Sequence, residues 1–200
     1  TFIKLLYREE KPTSGTVEVV GQDVSKIKNS KVPYFRRNIG VVFQNFRLLP
    51  KKTVFENVAY ALEVIDTPRV EIRRRVRATL ELVGLEDKVN AFPHELSGGQ
   101  QQRAAIARAL INEPKIIFAD EPTGNLDSLN ARELMEYLVK INEEKHTTII
   151  MVTHDSFVAS YSKKVYYMKD GHLDLSIDRL TKSQDDYYKE IVKVTTQMHL

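Results

Sequence analysis

Leu96-Ser97-Gly98-Gly99-Gln100-Gln101-Gln102-Arg103 is the stretch of this 200-residue sequence that says most about its fold. Its glycines let backbone N–H groups approach a phosphate closely, the Ser97 hydroxyl adds a donor, and an apolar helix is predicted to follow. The N-terminus of that helix favours an anion. A serine here is also an ordinary helix cap, and that structural interpretation must hold as well. The octet therefore predicts a helix that begins at a phosphate group. The candidate binding residues are Ser97, Gly98, Gly99 and Gln100.

A second motif places two carboxylates directly after an apolar run. Ile116-Ile117-Phe118-Ala119 is typical of a buried strand, and Asp120 and Glu121 follow it. Phosphoryl transfer needs one acid to hold Mg²⁺, directly or through water, and another to orient or deprotonate the attacking water. We expect Asp120 in the first role and Glu121 in the second. An acidic pair alone is often a helix cap or a surface pair, but Pro122-Thr123-Gly124-Asn125-Leu126-Asp127 comes next and favours the functional interpretation.

Two further polar residues follow apolar runs of the strand type. Gln44 comes after Ile39-Gly40-Val41-Val42-Phe43, and its amide could ligate Mg²⁺ or position a water molecule. His154 follows a run that ends in Val152-Thr153, where a lone histidine is more often a structural cap. Beside an Asp-Glu strand end, however, the imidazole is well placed to contact a terminal phosphate. Gln44 is therefore a candidate metal ligand, and His154 joins Glu121 as a candidate catalytic residue.

The composition is that of an ordinary globular protein. Hydrophobic residues make up 42% and charged residues 28% of the chain, and the formal net charge is +3. So mild a charge does not argue for nucleic acid, and the basic run Arg73-Arg74-Arg75-Val76-Arg77 is typical of a solvated helix face. The absence of cysteine excludes disulfides and thiolate metal sites. No apolar run approaches the roughly 18 residues of a membrane-spanning helix, so a membrane role requires a partner.

The order of patterns predicts an α/β fold with a parallel sheet. Strands are predicted at 16–20, 39–43, 116–119, 147–152 and 165–168. Helices are predicted at 1–9, within 53–110, and at 129–144 and 155–160. The helical tail, 173–200, carries Tyr187, Ile191, Val194 and Met198 at helical spacing after Ser183, a candidate cap. Ligands of such folds bind at the carboxyl ends of the strands. Asp120, Glu121 and His154 all come just past predicted strand ends.

One expected element does not occur in these residues. A phosphate-binding loop reads G-x-x-x-x-G-K-[ST], and its backbone amides and lysine hold the phosphates. The spacing of the eight glycines provides no such loop, as their positions show: Gly15, Gly21, Gly40, Gly84, Gly98, Gly99, Gly124 and Gly171. Thr1 opens directly into a helical pattern, so we expect it to follow the Gly-Lys-Ser of a missing loop. We therefore expect these 200 residues alone to bind ATP weakly and to be inactive.

Residues 1–172 resemble the nucleotide-binding subunits of ABC transporters. Gln44 matches the Q-loop, Leu96–Arg103 the signature, Ile116–Glu121 the Walker B strand, Gly124–Asp127 the D-loop, and His154 the switch histidine. The resemblance implies a P-loop NTPase (RecA-like) core, with ATP and Mg²⁺ as cofactors. It also implies a head-to-tail homodimer that holds each ATP between one subunit's phosphate loop and the other's Ser97 and Gly99. Asp127 would cross the seam of that dimer.

The resemblance divides along the chain. Residues 7–15 and 32–50 are similar to the cell-division ATPases of the FtsE type, whose partner is the membrane protein FtsX. Residues 115–119 and 153–161 and the tail are more similar to ATPases of antimicrobial-peptide resistance exporters, and Gln100 stands where FtsE-type proteins usually have glutamate.

The membrane partner of this family contacts the segment after the Q-loop, here about Asn45–Leu85. That segment carries Phe46, Leu48 and Leu49 and is FtsE-like. We therefore expect an FtsX-like partner and a cytoplasmic position on the inner face of the membrane, with an export ATPase as the alternative. The predicted domains are an incomplete ATPase core (1–44 and 113–172), a helical signature subdomain (45–112) and a C-terminal helical tail (173–200).

Overall fold

The computed structural model describes residues 2–198, in which a small parallel sheet is surrounded by helices. The helices are α1 (Phe2–Leu6), α2 (Val32–Arg36), α3 (Val54–Glu63), α4 (Arg69–Leu82), α5 (Gly98–Leu110), α6 (Ser128–Lys145), α7 (Ser156–Ala159) and α8 (Gln184–Met198). The strands are β1 (Glu18–Val19), β2 (Gln22–Asp23), β3 (Ile39–Phe43), β4 (Ile116–Asp120), β5 (Thr148–Val152), β6 (Lys164–Lys169) and β7 (His172–Asp178). None of the helices within this range is long and apolar enough to cross a membrane.

The central sheet has the strand order β3-β4-β5, and all three strands are parallel. Its register places Phe43 beside Asp120 and Asp120 beside Val152. The last residues of the three strands therefore form one row across the sheet. The residues that follow these strands emerge at the same edge.

Side chains alternate between the two faces of β4, and each face packs against a different layer. Ile117 and Ala119 lie in a large core with residues of α3, α4, α5 and α6, whereas Phe118 packs with Ile3 and Phe35 on the other side. Because α5 is rich in alanine, it approaches the sheet closely. A Cβ on Gly40 would lie 2.9 Å from the Ala109 carbonyl oxygen, so only glycine fits at this point of β3.

The three central strands and the helices α3 to α7 confirm the predicted elements, but two predictions for the first 20 residues need correction. The first helix ends at Leu6 rather than residue 9, and Thr1 lies outside the described residues. The strand predicted at 16–20 is only the two-residue β1. The stretch 53–110, predicted to be helical, contains the three helices α3, α4 and α5, with breaks around Pro68 and between Val83 and Ser97.

The tail is not helical throughout, so that prediction was wrong for its first part. Residues 172–178 form β7, which pairs antiparallel with β6, whereas α8 starts at Gln184, directly after the predicted cap Ser183. The physical reason is the turn at Asp170-Gly171, whose φ values of 50° and 80° match the tight turn of a β-hairpin. The division into a core, a helical subdomain and a tail otherwise stays a prediction.

Candidate functional site

The carboxyl edge of the sheet brings four of the predicted site residues together. Gln44 follows β3, Asp120 ends β4 with Glu121 next to it, and His154 comes two residues after β5. Asp120 and Glu121 are half-buried, whereas Gln44 and His154 are exposed. The strand register thus places an amide, two carboxylates and an imidazole at one accessible edge.

Glu121 and His154 contact each other directly. His154 Nδ1 lies 2.7 Å from Glu121 Oε1, and the His154 backbone N–H donates to the same oxygen at 3.1 Å. The Glu121 N–H in turn donates to the Val152 carbonyl at 2.9 Å, and Glu121 has a left-handed φ of 44°. An ionised carboxylate only accepts hydrogen bonds, so Nδ1 carries the proton. This leaves Nε2 as the ring nitrogen that a ligand would meet.

The electrostatics of this pair favour a charged imidazole. The hydrogen bond that the His154 ring donates to Glu121, followed by the negative charge of Glu121, raises the pKa of His154 above its ordinary value. The His154 side chain is 87% exposed and that of Glu121 22% exposed, so solvent screens the pair on one side only. The protonation of His154, the predicted phosphate contact, therefore depends on Glu121, the predicted base.

The predicted phosphate-binding residues lie at the N-terminus of α5. Ser97 is the N-cap of this helix and forms a reciprocal capping box with Gln100. The Ser97 Oγ accepts from the Gln100 N–H at 3.3 Å, and the Ser97 N–H donates to Gln100 Oε1 at 3.0 Å. The amides of Gly98 and Gly99 belong to the first turn, where helical N–H groups lack partners within the helix. Gln100 therefore caps the helix here, while Gly98 and Gly99 present the donors suited to a phosphate.

The segment Gly124–Asp127 packs beside this helix start. A Cβ on Gly98 would lie 3.4 Å from Leu126 Cδ2, and a Cβ on Gly124 would lie 2.6 Å from the Gln44 side-chain nitrogen. Asn125 Nδ2 donates to the Gln44 carbonyl at 2.9 Å. This short segment therefore joins the end of β3 to the start of α5.

Asp127 forms its hydrogen bonds with residues that lie next to it in the sequence. It is the N-cap of α6, where its carboxylate accepts from the Leu129 and Asn130 backbone N–H groups and from Asn130 Nδ2 at 2.6 Å. The hydrogen bonds from Asn130 lower the pKa of Asp127 below its ordinary value. Asn130 also packs against Gly99, since a Cβ there would lie 2.8 Å from Asn130 Cγ. Asn130 therefore links Asp127 to the signature helix.

Gln102 is a site residue that the sequence prediction missed. Its side chain is fully buried, and its Nε2 donates to the Pro122 carbonyl at 2.6 Å and to the Phe43 carbonyl at 3.3 Å. It thereby ties α5 to the residue before Gln44 and to the residue after Glu121. The signal was available, because Gln102 lies four residues before the buried Ile106 and so falls on the apolar face of the helix.

Arg108 was missed for a different reason. Its guanidinium donates to the carbonyls of Phe46, at 3.0 Å, and Arg47, two residues with left-handed φ values of 53° and 50°. Burial, and secondarily the charge of Arg47, lowers the pKa of Arg108. The side chain thus holds the unusual backbone that follows Gln44. An arginine on a helix gives no sequence signal for this role, because its acceptors are backbone atoms more than 60 positions earlier.

Gln44 and Asp120 are the predicted metal ligands. Mg²⁺ prefers oxygen donors and usually takes one or two carboxylates together with waters and phosphate oxygens. A half-buried carboxylate at a strand end, with an amide after the neighbouring strand, fits that preference. Among residues 2–198, no group of three or more His, Cys, Asp or Glu side chains is placed to hold a metal ion.

Comparison with known proteins gives consistent results. The ABC transporter family model matches residues 1–124. The cell division ATP-binding protein FtsE of Streptococcus pneumoniae is 56% identical over 174 residues, which cover 86% of this chain and 75% of that protein. The bacitracin export ATP-binding protein BceA of Halalkalibacterium halodurans is 37% identical over 194 residues, covering 96% of this chain and 77% of that protein.

Two solved structures show the same architecture. The ATP-binding cassette MJ0796, a dimer in a post-hydrolysis state bound to ADP and Pi, has a TM-score of 0.78 at 39% identity. The match covers 88% of this chain and 78% of that one. The cbiO1 subunit of the Clostridium perfringens cbiONQ transporter has a TM-score of 0.83 at 30% identity, covering 100% of this chain and 78% of that one.

Proposed function

The chain belongs to the ABC transporter family of ATP-binding proteins, and from that premise we propose an FtsE-like subunit that couples ATP hydrolysis to a membrane partner in cell division. The predicted P-loop NTPase fold and the ATPase class are confirmed by these relatives. The observation that carries the proposal is the row Phe43–Asp120–Val152, which brings Gln44, Glu121 and His154 to one edge of the sheet.

Each residue at this edge has a proposed task. Asp120 and Gln44 hold Mg²⁺, which when bound offsets the charge of the phosphates. Glu121 orients and deprotonates the attacking water, because its carboxylate lies past the strand end and is only half-buried. His154 uses Nε2 to contact the terminal phosphate, while Nδ1 stays on Glu121. The phosphate-binding loop does not occur in the 200 residues, so hydrolysis requires a form of the protein that includes one.

We propose that the signature residues serve the nucleotide of a second copy. Ser97, Gly98 and Gly99 lie at an accessible helix N-terminus, which favours a phosphate. Asp127 is exposed beside them and would lie at the seam between the copies. The dimeric MJ0796 cassette supports this arrangement for a relative.

The proposed partner is an FtsX-like membrane protein that binds Asn45–Leu85. Leu49, Tyr60 and Val64 are 37%, 47% and 57% exposed, which leaves apolar surface for such a contact. Phe46 and Leu48, also predicted to contact the partner, are only partly exposed, and Leu48 packs on the core. Docking here would hold the chain on the inner face of the cell membrane.

An export ATPase is the second candidate function. The bacitracin export relative is similar over 96% of this chain, whereas the FtsE match covers 86% of it. The partner decides between the two functions, since an exporter subunit would bind a large-loop permease.

Capture by membrane proteins in detergent tests the proposal. We expect an FtsX-like protein to retain the chain and a large-loop permease not to. Val64→Glu should abolish retention by placing a charge in the contact, whereas Leu180→Glu, at an 83% exposed site outside the segment, should not. Retention by the permease alone would favour the export function, and equal retention of both variants would contradict the proposed surface.

A further inference from the structure

The helix α8 lies outside the predicted site, yet it packs on the segment that carries His154. This helix is anchored to the β6–β7 hairpin, because the hydroxyl of the buried Tyr187 donates to the Ile177 carbonyl at 2.9 Å. Tyr167 of β6 donates in turn to the Ile191 carbonyl at 3.1 Å. The helix is therefore fixed at two points along its length.

Two residues of α8 reach α7. Gln184 Nε2 donates to Ser160 Oγ at 3.2 Å, and Ser160 is fully buried and donates to the Phe157 carbonyl at 2.6 Å. The Tyr188 ring meets the Phe157 ring edge to face, with centroids 6.4 Å apart and planes at 75°. Both contacts converge on Phe157.

Phe157 also connects α7 to α6. The Arg132 guanidinium lies 5.7 Å from the centroid of the Phe157 ring, and Tyr161 packs edge to face on that ring at 5.4 Å. The helix α6 begins directly after Asp127. One aromatic side chain is thus held between the C-terminal helix and the helix that starts in the candidate site.

The position of α7 determines that of His154. This helix has only four residues, too few to be stable alone, so packing has to hold it in place. Its N-cap is Asp155, which accepts from the Phe157 and Val158 N–H groups and donates its own N–H to Thr153 Oγ1 at 3.1 Å. His154 lies between Thr153 and Asp155 in the sequence, so this hydrogen bond spans it. A shift of α7 would therefore carry the imidazole away from Glu121.

We propose that Gln184 and Tyr188 are positioning residues that hold the His154 imidazole on Glu121 through α7. This inference rests on the proposed function of His154 as the phosphate contact. The C-terminal helix then acts on the reaction without touching a reactant, because it fixes which ring nitrogen faces Glu121 and which faces the phosphate.

The ¹⁵N chemical shifts of the His154 ring test the proposal without any nucleotide. They are measured at alkaline pH, where the ring is neutral, and assigned by the signal lost in His154→Gln. We expect the proton on Nδ1 in the unaltered protein, as the 2.7 Å contact with Glu121 requires. Tyr188→Ala and Gln184→Ala should lose the Nδ1–H form, while Tyr188→Phe, which keeps the ring on Phe157, should retain it.

Val192→Ala is the matched control, since Val192 is 37% exposed on the same helix and is not part of these contacts. It should leave the Nδ1–H form unchanged. The proposal is overturned if both alanine variants at Gln184 and Tyr188 keep that form, or if the control loses it too. A form of the protein that includes a phosphate-binding loop and shows the expected shifts, yet fails to hydrolyse ATP, would instead refute the proposed function and leave the positioning role standing.

Discussion

Gln102 offers a sharp test of how the site is held together. Substitution by glutamate keeps the shape of the side chain but replaces the donating Nε2 by an acceptor that faces the carbonyls of Pro122 and Phe43. The group is fully buried, so an ionised carboxylate there would have no compensating partner. An uncompensated buried charge costs about 3–5 kcal/mol, which is the loss of unfolding free energy that we expect at neutral pH.

Gln102→Leu separates the lost bonds from the charge. The Phe43 carbonyl keeps a second donor, the Phe46 N–H at 3.2 Å, so mainly the Pro122 carbonyl loses its partner. The leucine also removes the Gln102 Oε1, a buried atom without a hydrogen-bond partner in the described structure. The substitution thus leaves one carbonyl unsatisfied but also removes one unsatisfied oxygen, so the free energy of unfolding should fall by about 1–2 kcal/mol.

The pH dependence distinguishes the two variants. Burial should raise the pKa of a glutamic acid at position 102, because desolvation disfavours its charged form. Stability relative to the unaltered protein is then lost as pH rises above the unfolded-state pKa of about 4.3 and recovered on acidification. The deficit of the leucine variant should not depend on pH.

Urea unfolding at several pH values measures these differences. Gln100→Glu is the matched control on the same helix, since a glutamate there would accept from the Ser97 N–H as Gln100 does. It should be neutral or slightly stabilising, as a carboxylate is at a helix N-terminus. If Gln102→Glu at neutral pH unfolds at the same urea concentration as the unaltered protein, the buried hydrogen bonds from Gln102 to the Pro122 and Phe43 carbonyls do not exist.

Three further predictions follow from the site. Gly99→Ala should cost about 1–3 kcal/mol by overpacking, because the new Cβ meets Asn130, and thermal unfolding should show part of that loss relieved by adding Asn130→Ala. Glu121→Gln should lower the pKa of His154 in an NMR titration, because the Glu121 carboxylate is what raises it. The pair stabilises the fold below the ordinary histidine pKa, and this contribution is lost as pH rises through the raised value. An unchanged pKa would show that the contact is absent. Arg108→Met should speed amide exchange in residues 46–49, because Arg108 holds the carbonyls of Phe46 and Arg47 at the start of this segment, and equal exchange would remove its proposed role.

The sequence predicted the elements of the site better than their connections. The apolar runs that end at Phe43, Ala119 and Val152 were sufficient to locate β3, β4 and β5, because the strands of a parallel sheet read as continuous apolar stretches. The polar residues after them were therefore placed at one edge. Their order across the sheet was not predicted, since register depends on packing between distant segments.

The contacts that hold these residues are less visible in the sequence. Gln102 and Arg108 act on backbone carbonyls of distant residues, and no spacing rule encodes such a contact. The strand β7 was missed because residues 173–200 were predicted as a helical tail, whereas the Asp170-Gly171 turn leads into the second strand of a hairpin. Asn130 likewise becomes important only when α6 is seen to pack on Gly99.

Glu121 is the proposed base of an ATP site at this edge. The most direct measurement is single-turnover hydrolysis of Mg²⁺-ATP by Glu121→Gln, in a form of the protein that includes a phosphate-binding loop. Glu136→Gln, at an exposed position on α6, is the control. We predict a loss of at least about 100-fold for Glu121→Gln with ATP binding retained, and no loss for the control. Unchanged turnover in Glu121→Gln would show that Glu121 is not the base.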